Sequence, residues 1–297
     1  MALNAARDAA AAQHYPQGAL YVVATPIGNM ADITLRALHV LKLVDAVACE
    51  DTRHTQGLLR GYGLERPGAQ LLAVHQHNEA EAAEGVVARL RQGQRVAYAS
   101  DAGTPAVSDP GARLVDAVRA AGLPVVPLPG ASSVTAALSV AGIVQETGFV
   151  FAGFLPTKAA ERDAAALALQ DERRAVVMLE APHRIEAMAR SLAGLGERRI
   201  TVCRELTKQF EEIANVQAAG FADWLAAEPQ RTRGEFAVVL HPAPAQAAPQ
   251  QDLRVLQLLM AELPLKTAVK LAADITGQPR NSLYAAALEL KSGAADE

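Results

Sequence analysis

One pattern constrains this chain more than any other: short apolar runs, each closed by a loop carrying glycine or proline and followed by residues of helical periodicity. In the first half the runs are ALYVVA, VDAVACE, QLLAV, RVAYAS and PVVPLPG. In the second half they are FVFAGF, AVVMLEA, RITVCRE and EFAVVLHP. Between them, helices are expected over about 34–42, from Asn78 as cap through Arg91, from Pro110 to about Ala121, from Ser132, and over 158–170, 182–193 and 221–227. Asn78 accepts at a helix start, and Glu79 and Glu81 suit the positive end that follows it. Strands that are apolar throughout, alternating with helices, need cover on both faces. The expected class is therefore α/β: two α/β domains with mostly parallel sheets, plus a small C-terminal helical module.

A length of 297 residues allows two cores of ordinary size. Aromatics make up only 4%, so those cores must be built from Ala, Val, Leu and Ile. The divisions expected are a loose N-terminal tail over 1–18, an N-terminal α/β domain over 19–128 and a C-terminal α/β domain over 129–241. A Pro/Ala/Gln linker over 242–251 and a helical RNA-binding-like extension over 252–297 complete them. The tail lacks a continuous apolar segment of the signal-peptide kind, and no run approaches a membrane span. A cytoplasmic protein with no membrane partner is expected. The net charge of −4 argues against a surface wrapped in nucleic acid all round, but it leaves room for local basic patches. Cys49 and Cys203 lie in separate apolar runs without a CxxC or Cys/His partner, which favours buried reduced thiols.

The chain has no GxxxxGK[ST], no GxGxxG after a strand, no HExxH and no GxSxG. A P-loop nucleotidase, an ordinary dinucleotide dehydrogenase, a zincin and an α/β-hydrolase are thereby disfavoured. What it has is loops at strand ends: Thr25-Pro26-Ile27-Gly28-Asn29, Ser100-Asp101-Ala102-Gly103-Thr104-Pro105 and Pro129-Gly130-Ala131-Ser132-Ser133. Ligands of open parallel sheets bind beyond the carboxyl ends of the strands, where glycine lets backbone approach closely and proline sets a loop in advance. Any one of these loops reads equally well as a tight turn; three at corresponding strand ends favour a binding crevice. Glu50-Asp51-Thr52-Arg53-His54 reads as a capped helix start or as a charged functional cluster. His75-Gln76-His77 has poor metal spacing and no further ligand, so a capping turn is preferred and no metal is expected. Arg204-Glu205-Leu206-Thr207-Lys208 sets two cations and a carboxylate after a strand, suited to phosphate or ribose contacts or to a solvated loop.

The ordered strings ATPIGNMADITLRAL, EDTRHT, SDAGTPAVSDPG, PLPGASSVTAAL, GFLP, EAPHR, RELTKQFEE and RGEF resemble the tetrapyrrole-methylase-like family of methyltransferases. The donor of that family is S-adenosyl-L-methionine. Within it they are similar to the branch that 2′-O-methylates a cytidine ribose in the decoding centre of small-subunit (16S) ribosomal RNA. The resemblance covers about residues 19–290, and LPLKTAVKLAADITGQPRNSLYAAAL is similar to that branch's C-terminal extension. It implies a homodimer, with the donor in a cleft between two domains. It also implies cofactor-binding roles for Pro26, Gly28, Asp101, Gly103, Thr104, Pro105, Ser132, Ser133, Leu179, Glu180, Glu235 and Phe236. Arg53, Arg204 and Lys208 would face RNA. From the residues themselves, Lys266, Lys270 and Arg280 are expected to form a basic edge by which the tail binds RNA, the alternative being a solvated or dimer-stabilising helical tail. Leu179-Glu180-Ala181-Pro182 departs from the aromatic and Ser or Thr that many relatives carry there.

Methyl transfer to a 2′-hydroxyl is largely a matter of placement, with a base or a cation needed for the departing proton. Lys208, Glu205 and Asp51 are the catalytic candidates. The competing readings are a tetrapyrrole C-methyltransferase or protein methyltransferase on the same fold, and a non-catalytic RNA-binding module. The first would want more apolar cleft walls than the RELTK loop offers, and the last predicts no donor binding. In the tail, Pro264 and Gly277-Gln278-Pro279 separate helices, and Asn281 is expected to cap the last. Leu265, Val269, Leu271, Leu283 and Leu288 are its expected interior.

Overall fold

The computed structural model describes residues 8–75, 78–144, 148–244 and 250–293. It divides into two compact units, Met1–Ala243 and Pro244–Glu297.

In the first unit, β1 (Leu20–Val23), β2 (Ala46–Cys49), β3 (Leu71–Ala73), β4 (Val96–Ala99) and β5 (Val125–Leu128) form a sheet of order β3-β2-β4-β1-β5. Every pairing in it is parallel. Strand side chains alternate between faces, and two separate cores follow from that alternation. Tyr21, Val23, Val47 and Ala97 pack on Ala37, Val40 and Leu41 of α1 (Leu35–Leu43) and Leu59 of α2 (Thr52–Gly61). Leu20, Ala48, Val96 and Tyr98 face the other way, onto α3 (Glu79–Arg91) and α4 (Ala112–Ala120). With no polar face left, β2 and β4 are buried at every residue.

The second sheet has the order β6-β7-β10-β8-β9, from β6 (Phe149–Gly153), β7 (Ala175–Glu180), β8 (Arg199–Arg204), β9 (Glu212–Gln217) and β10 (Phe236–Leu240). The α/β class holds, but the expected parallel pairing is met here only by β6 with β7. The pairs β7–β10, β10–β8 and β8–β9 are antiparallel. No helix long enough for a crossover separates β8 from β9, so β9 can only return alongside its predecessor. One face is covered by α6 (Ala159–Leu167), α7 (Ile185–Leu192) and α8 (Phe221–Ala226), the other by α5 (Ser133–Ala141). Strand β9 has no counterpart in the sequence reading. It is an edge strand whose residues alternate between half-buried and exposed, so it lacks an apolar run.

Two local expectations here need correction. Asn78 stands at the start of α3, but its side chain accepts from His75 N–H (2.8 Å) and donates to Ala73 O (3.0 Å), closing the preceding turn. Glu79 and Glu81 stand in the first turn of α3 as expected, and Glu79 also serves a second helix: its Oε1 accepts from the N–H groups of Gly111, Arg113 and Leu114 and so caps α4. The end of the N-terminal segment, expected to be loose, is tied down; the Tyr15 carbonyl accepts from Arg95 Nε and the Pro16 carbonyl from the Tyr21 hydroxyl.

The second unit holds α9 (Gln250–Glu262), α10 (Leu265–Thr276) and α11 (Arg280–Gly293) around Leu256, Val269, Ala272, Ala273, Leu283 and Ala287. Gly277 ends α10 with a left-handed φ of 74°. Helix α11 begins at Arg280, so Asn281 lies within its first turn rather than capping it. Leu271 and Leu288, expected inside, are exposed. Residues 245–249 of the expected linker lie outside the described residues.

Candidate active site

The carboxyl ends of β1, β4 and β5 lie side by side, so their loops converge. Thr25 and Gly103 exchange backbone hydrogen bonds (Thr25 N–H to Gly103 O, 2.9 Å; Gly103 N–H to Thr25 O, 3.0 Å). The Thr25 hydroxyl donates to Ser100 O at 3.1 Å, and the Thr104 hydroxyl donates to Ala131 O at 3.1 Å. The three loops singled out from the sequence thus form one hydrogen-bonded platform. Gly103 holds φ at +81°, a conformation that L side chains rarely adopt.

Against this platform stand the ends of β7, β8 and β10, and between them is a cavity of about 330 Å³. Of the sequence-selected residues, Gly103, Thr104, Ser132, Ser133, Leu179, Glu180, Phe236, Glu235 and Lys208 line it. Pro26 and Pro105 are buried behind it, supporting the loops rather than lining the space. Asp101 is also set back: its Oδ1 accepts from Asp51 N–H (3.4 Å) and its carbonyl from His54 Nε2 (3.1 Å). Gly28 is needed for a different contact. A Cβ there would stand 2.3 Å from Lys208 Cγ.

Glu180 is fully buried. Its Oε1 accepts from Ala181 N–H at 2.9 Å and pairs with Arg184 Nε at 3.2 Å, while its Oε2 is buried without a partner. Thr207 Oγ1 is likewise buried and unpartnered. Such orphaned acceptors and donors are expensive unless a bound molecule completes them.

Four non-glycine residues among those described have left-handed backbone: Ala106 (65°), Ser108 (64°), Glu205 (52°) and Thr207 (67°). All four fall in the two loops that bear on the cavity, 106–111 and 204–208. Strain of this kind persists only where surroundings enforce it. In the second loop, Lys208 Nζ bridges Glu205 Oε1 (2.8 Å) and Glu235 Oε2 (3.0 Å), and Glu205 Oε1 also accepts from Glu235 N–H (2.9 Å). Burial pulls the Lys208 pKa down, but the two carboxylates outweigh it and hold the group above its ordinary value. Burial likewise opposes ionisation of Glu205, yet Lys208 and the backbone donor leave it below the usual carboxylate range. Lys208 is therefore a fixed cation. Asp51, the third catalytic candidate, is occupied as the cap of α2, accepting from Arg53 N–H (2.8 Å) and His54 N–H (3.4 Å), and it does not line the cavity.

The expected RNA-facing cations are not alike. Arg53 is almost fully exposed, with 90% of its side-chain surface accessible. Arg204 is buried, paired with Glu212 and donating to Phe210 O, so it braces β8 against β9 instead of facing solvent. Lys266 and Lys270 are exposed on α10, and Arg280 pairs with Asp274 at 3.1 Å. Sequence reasoning missed Asp109, Val107, Ser108 and Phe154, all of which line the cavity. The signal for Asp109 was present, since SDPG places a carboxylate in the loop after β4 just before a helix.

Residues 19–221 match the family described as tetrapyrrole (corrin/porphyrin) methylases, and residues 246–291 match the RsmI C-terminal HTH domain. Among similar chains is the Ribosomal RNA small subunit methyltransferase I of Pseudomonas aeruginosa, 48% identical, with the alignment covering 92% of this chain and 97% of that one. Among solved structures, the cobalamin biosynthetic enzyme cobalt precorrin-4 methyltransferase superposes with a TM-score of 0.55 at 17% identity, covering 76% of this chain and 98% of its own. Uroporphyrin-III C-methyl transferase from Thermus thermophilus, complexed with S-adenyl homocysteine, reaches 0.51 at 18% identity, covering 74% and 96%.

Proposed function

The chain belongs to the tetrapyrrole (corrin/porphyrin) methylase family, and on that premise we propose that it transfers a methyl group from S-adenosyl-L-methionine to the 2′-oxygen of a cytidine ribose in the decoding centre of 16S ribosomal RNA. The observation that carries this reading is the 48% identity, over nearly the whole of both chains, to a relative named for small-subunit ribosomal RNA methylation. The cavity supports it. About 330 Å³ lies within the roughly 300–1,000 Å³ of ordinary small-molecule sites. Its walls also fit the donor, because Glu180 Oε2 lacks the hydrogen-bond donor that a ribose or amino group would supply, and Gly103 clears the backbone on the opposite side. Gly103, Thr104, Ser132, Ser133, Leu179, Glu180 and Phe236 would hold it.

When bound, the donor supplies an electrophilic methyl group on a positively charged sulfur. The protein's task is placement and charge management. A rigid platform of backbone groups suits a site whose positive charge disappears during transfer, because a bare anion there would favour the starting state. Lys208, held cationic by Glu205 and Glu235, would steady negative charge developing on an acceptor oxygen. Arg53 on α2 and Lys266, Lys270 and Arg280 in the second unit would contact phosphates.

We place the reaction in the cytoplasm and expect a homodimer. Among the described residues no helix is long and apolar enough to cross a membrane. Val140 and Val144, at and beyond the end of α5, expose 44% and 86% of their surfaces, apolar area that a second copy would cover. Sedimentation velocity tests the assembly.

The reading is tested with small subunits from a strain lacking the modification. Full-length protein should label one cytidine ribose from methyl-labelled donor, and deoxycytidine at that position should abolish labelling, because the nucleophile is gone. Labelling that survives the deoxy substitution sinks the ribose assignment. Gly103→Val, a β-branched side chain at positive φ, should abolish calorimetric donor binding in a protein that still folds.

A further inference from the structure

A ribose hydroxyl that accepts a methyl group must lose its proton as the bond forms, and the cavity's titratable side chains are not equally able to take it. Lys208 is a cation held by two carboxylates. Glu205 and Glu235 are committed to Lys208, and Glu180 to Arg184. Burial, reinforced by Glu211, pushes the Cys203 thiol up to about 11, and the residue is fully buried. Asp109 is the remaining lining group.

Its setting differs from the others in kind. Asp109 lines the cavity beside Val107 and Ser108, with Phe154 of the second sheet's loops on the same cavity, and it makes no ion pair among the described residues. The groups around it are Glu50 at the end of β2, Ser100 and Asp101 after β4, and Tyr98, whose hydroxyl is buried and unpartnered. Two are carboxylates and none is a cation. The loop is also fixed at both sides of the residue. Ala106 and Ser108 precede it in left-handed backbone, and Glu79 holds the N–H groups of Gly111, Arg113 and Leu114 after it. A carboxylate is thereby held at the cavity wall with no counter-ion to satisfy it.

We infer that Asp109 is the general base that removes the proton from the acceptor hydroxyl, an inference that rests on the reading of the site as a ribose 2′-O-methyltransferase. As the 2′-oxygen bonds to the methyl carbon, the carbon–sulfur bond breaks and its electron pair stays on sulfur, leaving a neutral thioether. The hydroxyl proton passes to an Asp109 carboxylate oxygen and later to water. Burial first, then Glu50, raise the Asp109 pKa to about 6; a hydrogen bond from Ser100 opposes them and Asp101 adds to them. A base of that strength is still ionised at neutral pH, yet binds a proton far better than an ordinary carboxylate.

The test uses full-length protein, donor and unmodified small subunits. Asp109→Asn keeps the shape and should lower turnover by about 10²–10⁴-fold, the usual worth of a general base, with calorimetric donor affinity unchanged. Wild type should lose turnover as pH falls through about 6, and the variant should lack that limb. A difference proton titration of wild type against Asp109→Asn, with no substrate present, should resolve one extra group near that pH. Glu50→Gln removes a neighbouring negative charge and should move the limb to lower pH while leaving the plateau rate. Asp109→Asn turning over like wild type, or losing donor affinity in step with turnover, overturns the assignment while the methyltransferase reading stands. Wild type methylating a base rather than a ribose overturns both.

Discussion

The loop over residues 204–208 and the loop over residues 106–111 both run through left-handed non-glycine backbone beside one cavity, but they treat charge in opposite ways. The first surrounds its charges with partners: Lys208 lies between Glu205 and Glu235, and Arg204 behind them pairs with Glu212. The second holds the half-buried Asp109 among Glu50 and Asp101 without a cation. A saturated network fixes a charge, whereas an unsatisfied one keeps a group ready to change its charge. Lys208 can therefore stay charged without exchanging protons near neutrality, and Asp109 can exchange them.

The sharpest way to break this contrast is Lys208→Ala. It leaves two carboxylates facing each other and removes the fixed cation, so turnover should fall by roughly 10²-fold while donor affinity, read by calorimetry, changes far less. Equal losses in both would place Lys208 among the donor contacts. Loss of rate with an unshifted acid limb is also expected, because the proton equilibrium belongs to the other loop.

Next in size is a stability effect at Gly111. Its φ is +119° and a Cβ would stand 2.1 Å from the Tyr98 ring, which is fully buried. Gly111→Ala should lose roughly 2–4 kcal/mol from strain and displaced packing, measured by urea unfolding. Against the other loop, a Cβ on Gly234, just before β10, would stand 2.5 Å from Glu205 Cγ, the stem of a half-buried side chain. Gly234→Ala should destabilise less, and its main effect should be on the Lys208 bridge and hence on rate.

The smallest expected effect concerns stability against pH. The folded-state pKa of Asp109 lies above its unfolded value of 3.8, so folding favours its protonated form. That stabilisation is complete below about 4 and is lost as pH rises through about 6. Asp109→Asn, neutral throughout, should therefore raise the melting temperature at pH 7.5 and give no gain at pH 4. Glu205 runs the other way, its stabilising contribution being lost as pH falls, because its pKa is lowered. Were the Asn variant no more stable than wild type at pH 7.5, the carboxylate would have a partner after all. Activity given up for stability is the expected trade at a working residue.

The apolar runs of β2 and β4 were legible because these inner strands are buried on both faces, and such burial leaves no polar residue to blur the pattern. The loops after β1, β4 and β5 were legible for the complementary reason, since Gly and Pro mark where backbone must turn or come close. Strand β9 was not, because an edge strand exposes every second residue. The roles of single charged residues were also hidden. Arg204 and Lys208 stand four residues apart in one string, yet one is a buried brace and the other lines a cavity. Glu79 sits at the start of one helix and caps another.

Local chemistry decides where a chain becomes strand, turn or helix, because periodicity and backbone freedom act over a few residues. The sequence by itself thus determined the α/β class, the converging glycine and proline loops and the helical tail. Which carboxylate ends beside a cation and which beside other carboxylates depends on residues far apart in the chain. Glu205 meets Glu235 and Asp109 meets Glu50 only once the strands have paired. Electrostatic interaction depends on distance in space and on exclusion of water, and neither is written in residue order. The tertiary structure alone assigned the fixed cation to Lys208 and the proton-exchanging carboxylate to Asp109.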